Sequence, residues 1–257
     1  MCPLLFKDTP YAVETWELMM LIGFIVVLML AIKMRPKDFP VSKSGFVWWM
    51  IFLTVIGILA GKFFGIYIRR HAFFGIMHVS FGTAFLAAGT DIYGAFTAEI
   101  LGILAGAKLR RKRLSFFTLA DYFMPFIIFD QAFARIGCFL RGCCYGTPTN
   151  LPWGRYFEEG DVLRHPVQLY ETIYVTVIFF AMITLYRKNP AKGTVFFSTV
   201  GLYGVLRFIS DFLRDETTRA AGGLTYQQCA SLIAVAVAVT GLLIIKGKNK
   251  LESLKKG

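Results

Sequence analysis

The sequence predicts an all-α polytopic membrane protein with seven transmembrane helices, a small outward-facing cap and an interfacial or re-entrant segment. Of its 257 residues, 56% are hydrophobic and 16% are aromatic, whereas a typical soluble domain is about 45–50% apolar. Apolar runs of about 17–25 residues, the length that crosses a bilayer as a helix, recur along the chain. Basic residues gather in short connections between these runs, as they do on the cytoplasmic side of membrane proteins.

Hydropathy and the charge positions predict one membrane domain over residues 1–257. Pro166 opens the fifth span at a position suited to the first turn of a helix. The N-terminal stretch has no basic region directly before an apolar core, so we expect no cleaved signal peptide. The predicted spans lie at about residues 16–33, 45–67, 92–107, 117–138, 166–186, 194–213 and 225–246.

Two stretches are not predicted to span. Residues 68–91 are apolar but contain Arg69, Arg70, His71 and His78. We expect an interfacial or re-entrant element there, because irregular backbone at membrane depth must be shielded by protein. Residues 139–165 form the longest polar excursion and are predicted to be the outward-facing cap.

The net charge of +12 reflects topology, and no nucleic-acid partner is expected. If the N-terminus is outside and the chain crosses the membrane seven times, the main basic clusters all lie on the cytoplasmic side. The C-terminus is then cytoplasmic as well. Seventeen of the 28 Lys and Arg residues lie in these clusters: Lys33, Arg35, Lys37, Lys43, Lys108, Arg110, Arg111, Lys112, Arg113, Arg187, Lys188, Lys192, Lys246, Lys248, Lys250, Lys255 and Lys256.

Polar side chains recur inside the predicted spans, where an ionisable residue costs about 2.5–3.5 kcal/mol and usually faces a cavity or a partner. The sixth span has a stripe at spacings of 4, 4 and 3, formed by Tyr203, Arg207, Asp211 and Arg214. A structural Arg207–Asp211 pair would explain part of this stripe. Arg135 and Glu171 add further polarity at the same end of two other spans, which predicts a hydrophilic cavity that opens outward.

Arginine suits phosphate, because its planar guanidinium donates two parallel hydrogen bonds. Arg135 and Arg207, together with Arg141 and Arg164, would gather at the level of the lipid headgroups. A membrane-embedded site of this composition, with tyrosines around it, is suited to an anionic phospholipid.

Three motifs resemble one family. The run "ARIGCFLRGCCYG" (134–146) is similar to a pattern G-R-x-G-N-F-x-N-G-E-x-x-G, "RHPVQLYE" (164–171) to R-H-P-x-Q-L-Y-E, and "YGVLRFISDFLR" (203–214) to Y-G-x-x-R-x-x-x-E-x-x-R. A basic loop leading into a span with an aspartate, "KLRRKRLSFFTLADYFMP" (108–125), precedes them in the same order. In these motifs the sequence resembles the prolipoprotein diacylglyceryl transferase family.

The resemblance implies a bacterial enzyme of the cytoplasmic (inner) membrane. It would transfer a diacylglyceryl group from phosphatidylglycerol to the lipobox cysteine thiol of a preprolipoprotein signal peptide and release glycerol 1-phosphate. The enzyme would contact membrane lipid and act as a monomer. The resemblance assigns no cofactor and no metal ligand. Carried over by motif, the catalytic residues are Arg135, Arg207, Tyr93 and Tyr203, and the substrate-binding residues are Arg135, Arg164, His165, Gln168, Tyr170, Glu171, Asp211, Arg214, Cys138 and Arg141.

The sequence departs from the family at several polar positions. Tyr93 of "YGA" stands where the family has a histidine, and a phenol with a pKa of about 10 is a poor base at neutral pH. His71 and His78 are alternative bases. Cys138 and Arg141 replace two asparagines, and Cys143 replaces a glutamate. A related enzyme with another acceptor or phospholipid is therefore an alternative. A lipid-binding or transport protein without enzymatic activity is a less favoured alternative.

The role of Cys138, Cys143 and Cys144 stays open at the level of sequence. They suit small packing residues around glycine turns, a disulfide on an oxidising face, a metal site, or a catalytic thiol. The spacing Cys-x4-Cys-Cys argues against a metal, because adjacent cysteines do not easily bind one ion together.

Overall fold

A computed structural model describes residues 4–5, 13–37, 39, 41–69, 74–75, 77–87, 90–109, 115–157, 162–215 and 223–254. Two short strands pair antiparallel, with Leu4 opposite Glu14 and Leu5 opposite Val13. The remaining elements are helical. In chain order the elements are β1 (Leu4–Leu5), β2 (Val13–Glu14), α1 (Thr15–Met34), α2 (Lys43–Ile68), α3 (Phe81–Ala87), α4 (Ile92–Leu109), α5 (Phe116–Arg141), α6 (Val167–Arg187), α7 (Thr194–Asp211) and α8 (Tyr226–Leu254).

Each predicted span coincides with a helix, although α8 continues to Leu254, beyond the predicted end at residue 246. In the part of the chain that is described, six of these helices (α1, α2, α4, α5, α6 and α8) are long and apolar enough to cross a membrane. This arrangement is that of a polytopic membrane protein. The sixth predicted span, α7, is less apolar because it contains Arg207 and Asp211.

The helices group into two compact units, Met1–Met34 with Asp121–Gly257, and Arg35–Ala120. In the first unit, α5 packs on α6 through aromatic rings, with Phe129 stacked on Phe179 at 4.3 Å between centroids. Helix α7 lies along α8, where a Cβ at Gly204 would be 3.1 Å from the carbonyl oxygen of Ser231. Small residues allow such close approach between membrane helices.

A buried carboxylate of α5 caps α7 within the first unit. Asp121 accepts hydrogen bonds from the backbone N–H of Gly193 at 2.6 Å and of Phe196 at 2.7 Å. The first N–H groups of a helix have no partner inside the helix, and a carboxylate also complements the positive end of the helix dipole. Asp121 thus fixes where α7 begins and how it sits against α5.

The second unit is built on α2 and α4. Gly106 of α4 faces the indole of Trp49 so closely that a Cβ there would clash with the ring. Asp91 caps α4 by accepting from the N–H of Tyr93 at 3.0 Å and of Gly94 at 3.1 Å. The segment predicted to be interfacial contains α3, and Lys62 of α2 donates to the carbonyl of Phe85 in α3 at 3.2 Å. Arg70 and His71 lie outside the described residues.

The predicted cap folds back on itself after α5. Thr149 donates its N–H to Leu163 at 2.8 Å, and Arg155 and Arg164 exchange two backbone hydrogen bonds of 3.0 Å. Thr147 donates to the carbonyl of Leu213 at 2.8 Å, which ties this segment to the end of α7. The acidic residues Glu158, Glu159 and Asp161 lie outside the described residues.

Candidate functional site

A buried carboxylate on α6 binds arginines from neighbouring elements of the first unit. Glu171 forms an ion pair through Oε2 with Nε of Arg135 on α5, and through Oε1 it accepts a hydrogen bond from a terminal nitrogen of Arg207 on α7. Arg214, just after α7, approaches Oε1 at 3.5 Å. Glu171 therefore fixes the ends of α5 and α7 relative to α6. Charge-assisted contacts of this kind are about twice as strong as neutral hydrogen bonds.

Asp211 is the second carboxylate of the group. It lies 3.3 Å from a terminal nitrogen of Arg207, one helical turn away, and 3.9 Å from Nε of Arg214. Its other oxygen accepts from the hydroxyl of Thr225. Three members of the stripe on the sixth span, Arg207, Asp211 and Arg214, thus join an ion-pair network, and the predicted Arg207–Asp211 pair is present within it.

The residues of the network differ in their exposure to solvent. The side chains of Glu171, Asp211 and Arg207 are 1–3% exposed, whereas those of Arg135 and Arg214 are each 12% exposed. Guanidinium has five N–H donors and a carboxylate is an acceptor only. The two more exposed arginines are therefore the groups through which this network can meet an anionic ligand.

The network contains one positive charge more than it neutralises internally. Among the described residues that form these pairs, three guanidinium groups face two carboxylates, which leaves one net positive charge. In the same part of the chain, Nε of Arg207 is buried without a hydrogen-bond partner. A buried donor without a partner is costly, and the excess positive charge favours an anion beside the two more exposed arginines.

The motif at residues 164–171, which leads into α6, has further polar contacts. Arg164 pairs with Asp215 at 2.5 Å and lies over the ring of Tyr145, 4.9 Å from its centroid. Nδ1 of His165 lies 3.3 Å from the hydroxyl of Tyr170, to which Trp153 donates its indole N–H at 2.8 Å. Within the described structure, these candidate residues have partners inside the protein that hold the segment in place.

The other candidates have different surroundings. Tyr203 is buried on α7, one turn before Arg207, and its ring packs edge-on to Tyr174 at 6.2 Å. Arg141 is 46% exposed and pairs with Glu14 at 2.9 Å. Tyr93 belongs to the second unit, in the first turn of α4.

A helix cap brings the cysteines together. Helix α5 ends in a Schellman motif, in which Cys143 donates its N–H to the carbonyl of Cys138 at 3.1 Å and Gly142 donates to Phe139 at 3.2 Å. Gly142 has φ +79°, and Cys144 has φ +62°. The Schellman motif places Cys138 and Cys143 side by side. The left-handed conformation of Cys144 then turns the chain so that its thiol lies close to the other two.

The three Sγ atoms lie within 4.8 Å of one another. The adjacent thiols of Cys143 and Cys144 are thus close to each other and to Cys138, although their spacing along the chain argues against joint binding of one ion. Hydrogen bonds with Cys138 and Cys144, together with burial, raise the pKa of the Cys143 thiol. Hydrogen bonds from Cys138 and Cys143 lower the pKa of Cys144, and the guanidinium groups of Arg214 and Arg135 lower it further.

Gln168 and Thr225 support the site in ways that motif matching did not reveal. Gln168 donates its side-chain amide to the carbonyl of Cys143 at 2.6 Å, so it holds the thiol turn. Thr225 forms a capping box with Gln228 at the start of α8, with two reciprocal hydrogen bonds of 3.0 Å. The sequence Thr-x-x-Gln ahead of an apolar run signals such a cap, and could have placed Thr225 at a helix start.

Comparisons with known proteins agree over almost the whole chain. A family model described as prolipoprotein diacylglyceryl transferase matches residues 3–244. A relative from Clostridium tetani, named phosphatidylglycerol–prolipoprotein diacylglyceryl transferase, is 29% identical over 244 residues, covering 93% of this chain and 96% of the relative. One of the same name from Bordetella bronchiseptica is 30% identical over 256 residues, covering 96% and 95%. The chain therefore belongs to the prolipoprotein diacylglyceryl transferase family.

Proposed function

We propose that this protein transfers a diacylglyceryl group from phosphatidylglycerol to the lipobox cysteine thiol of a prolipoprotein and releases glycerol 1-phosphate. The observation that carries the proposal is the Arg135–Glu171–Arg207 network with its net positive charge, found in a member of this transferase family. The donor supplies one phosphodiester charge, which matches the excess charge of the network.

The chemistry explains why arginines belong at this position. The acceptor sulfur forms a bond to the glyceryl carbon that carries the phosphate ester, and the carbon–oxygen bond breaks. Its electron pair stays on the phosphate oxygen, so a monoanionic diester becomes a dianionic monoester. Preorganised donors stabilise charge that develops in a transition state, and the more exposed arginines, Arg135 and Arg214, would supply them.

The buried members of the network would act through these arginines. Glu171 and Asp211 are enclosed by their guanidinium partners, which suits residues that orient Arg135, Arg207 and Arg214 and not residues that touch the lipid. Tyr203 would line the headgroup site beside Arg207. Tyr93 stays a candidate of the reaction site through the family resemblance, as a hydrogen-bond donor and not as a base.

Placement in the membrane follows from the same proposal. Helix α7 would be the sixth of seven spans, since its charges are paired within the first unit by Glu171 and by each other. The cap segment would face outward and the C-terminus would be cytoplasmic, in a monomer of the bacterial inner membrane. Basic residues flank the predicted cytoplasmic ends of the helices, in line with the charge bias of membrane proteins.

Donor and acceptor identity can be tested together with purified full-length protein in liposomes. We expect a lipobox peptide to gain a diacylglyceryl thioether when the liposomes contain phosphatidylglycerol, with an equal amount of glycerol 1-phosphate released. The matched controls are phosphatidylethanolamine liposomes and a peptide with serine for cysteine, and neither should react. Equal product from both lipids, or folded protein that yields no product, would contradict the proposal.

A further inference from the structure

The thiol turn after α5 has the geometry of a metal-binding site. The Sγ atoms of Cys138, Cys143 and Cys144 lie within 4.8 Å of one another. Three sulfurs bound tetrahedrally to zinc, each about 2.3 Å from the ion, lie about 3.8 Å apart. Small rotamer changes would close this gap, because the Schellman motif and the left-handed turn at Cys144 already direct the thiols to one point.

The ligand set corresponds to an open zinc site. Structural zinc sites use four protein ligands, whereas catalytic sites use three and leave the fourth position to water or substrate. Among the described residues, no histidine or carboxylate joins the three thiols. Both oxygens of Glu171 are taken by arginines, and His165 is engaged with Tyr170. Within this described part of the chain, the fourth position is therefore left without a protein ligand.

The surroundings suit the charge of such a centre. Three thiolates around one Zn²⁺ carry one negative charge. Arg135 precedes Cys138 by three residues on α5, and Arg214 forms a backbone bridge with Gly146, two residues after Cys144. Gln168 fixes the backbone of Cys143 by a hydrogen bond of 2.6 Å to its carbonyl. Outer contacts of this kind hold ligands in place and tune metal sites. The thiol turn thus lies beside the arginines proposed to bind the donor phosphate.

We propose that Cys138, Cys143 and Cys144 bind a zinc ion whose fourth position takes up the acceptor's thiol as a thiolate. The identity of the acceptor rests on the proposed function. A thiol that coordinates zinc is deprotonated outright, so this chain needs no strong base where Tyr93 stands. The site would bring the reacting sulfur beside the network that binds the phosphate.

The step balances without a redox partner. The acceptor thiol binds zinc and its proton passes to water. The sulfur lone pair then forms the carbon–sulfur bond, the carbon–oxygen bond breaks, and glycerol 1-phosphate leaves with the electron pair. The product is a neutral thioether, a weaker ligand for zinc than a thiolate, so it is displaced by water or by the next thiol.

Zinc binding can be measured without any transferase assay. Full-length protein in detergent, kept reduced with a phosphine, is loaded with zinc, dialysed and analysed for metal by mass spectrometry. We expect one zinc ion per chain in the wild type and in Cys229→Ser, a free cysteine on α8 that serves as the matched control. Cys138→Ser, Cys143→Ser and Cys144→Ser should each lose the ion. Circular dichroism confirms that each variant is folded.

Cobalt substitution tests the open position. The Co²⁺-loaded protein should show thiolate-to-cobalt absorption that changes when a lipobox peptide is added and stays constant with its serine analogue. Folded wild type without metal, metal that survives all three substitutions, or a spectrum indifferent to the thiol peptide would each overturn the proposal.

The inference and the proposed function fail in different ways. If zinc and the thiol peptide bind but phosphatidylglycerol yields no product, the metal site stands and the donor assignment fails. If chelated, zinc-free protein transfers the lipid at the wild-type rate, the donor assignment stands and the role of zinc fails. Rate loss on chelation that added zinc restores supports both.

Discussion

Glu171 on α6 forms an ion pair through Oε2 with Nε of Arg135 on α5, and the thiol turn begins at Cys138, three residues after Arg135. The contact uses one of five guanidinium donors and orients the rest of the group. Because the same carboxylate also binds Arg207, one residue on α6 sets the geometry of arginines from two other helices.

Replacing Glu171 should be costly for stability. Glu171→Gln keeps the shape of the side chain but leaves Arg207 with half of its buried counter-charge. Breaking a buried ion pair costs about 3–5 kcal/mol, and we expect the free energy of unfolding in detergent to fall by that amount. Asp215→Asn is the control, since Asp215 is 41% exposed and surface pairs contribute about 0–1 kcal/mol. Equal effects of both substitutions would contradict the structural role of Glu171.

A second prediction concerns Asp121, which caps α7. Asp121→Ala removes the acceptor for two backbone N–H groups and leaves them buried. A lost helix cap costs about 0.5–2 kcal/mol, and buried unsatisfied donors add about 1–3 kcal/mol. Thermal unfolding should show a clear decrease in midpoint, and hydrogen exchange should become faster in the first turn of α7. A variant with unchanged exchange there would show that Asp121 does not hold this helix end.

Two glycines test the geometry of the thiol turn. Gly142→Ala places a side chain at φ +79°, where an L-residue costs about 1–2 kcal/mol. Gly247→Ala is the matched control, because it lies in α8 with open space around it and alanine favours a helix by about 1 kcal/mol. Chemical unfolding should therefore shift in opposite directions for the two variants. A neutral Gly142→Ala would argue against the left-handed cap.

Much of the fold could be predicted from the sequence, because apolar length and charge position are one-dimensional signals. The stripe from Tyr203 to Arg214 shares a face of one helix at fixed spacing, so the Arg207–Asp211 pair followed from the helical repeat. The partner of Glu171 could not be predicted, since spacing along α6 does not determine which face of α5 or α7 it meets. That contact depends on packing between helices.

The thiol turn shows a different limit of sequence reasoning. The spacing of Cys143 and Cys144 argues against joint binding of one ion, because neighbouring side chains diverge in extended or helical backbone. Left-handed φ values at Gly142 and Cys144 reverse the chain instead. Glycine after a helix is a known signal for this cap, but a left-handed cysteine has no such signal.

Transfer kinetics of Arg135→Ala test the central claim most directly. The assay measures kcat/KM for thioether formation on a lipobox peptide in phosphatidylglycerol liposomes, with wild type, Arg135→Ala, Arg135→Lys and the exposed α6 control Arg187→Ala side by side. Loss of one donor to a developing charge costs about 10²–10³-fold, which we expect for Arg135→Ala. Lysine should restore part of the rate, since it keeps the charge without the planar fork, and Arg187→Ala should match the wild type. Folded Arg135→Ala with a wild-type rate would contradict the assignment of the phosphate site to this network.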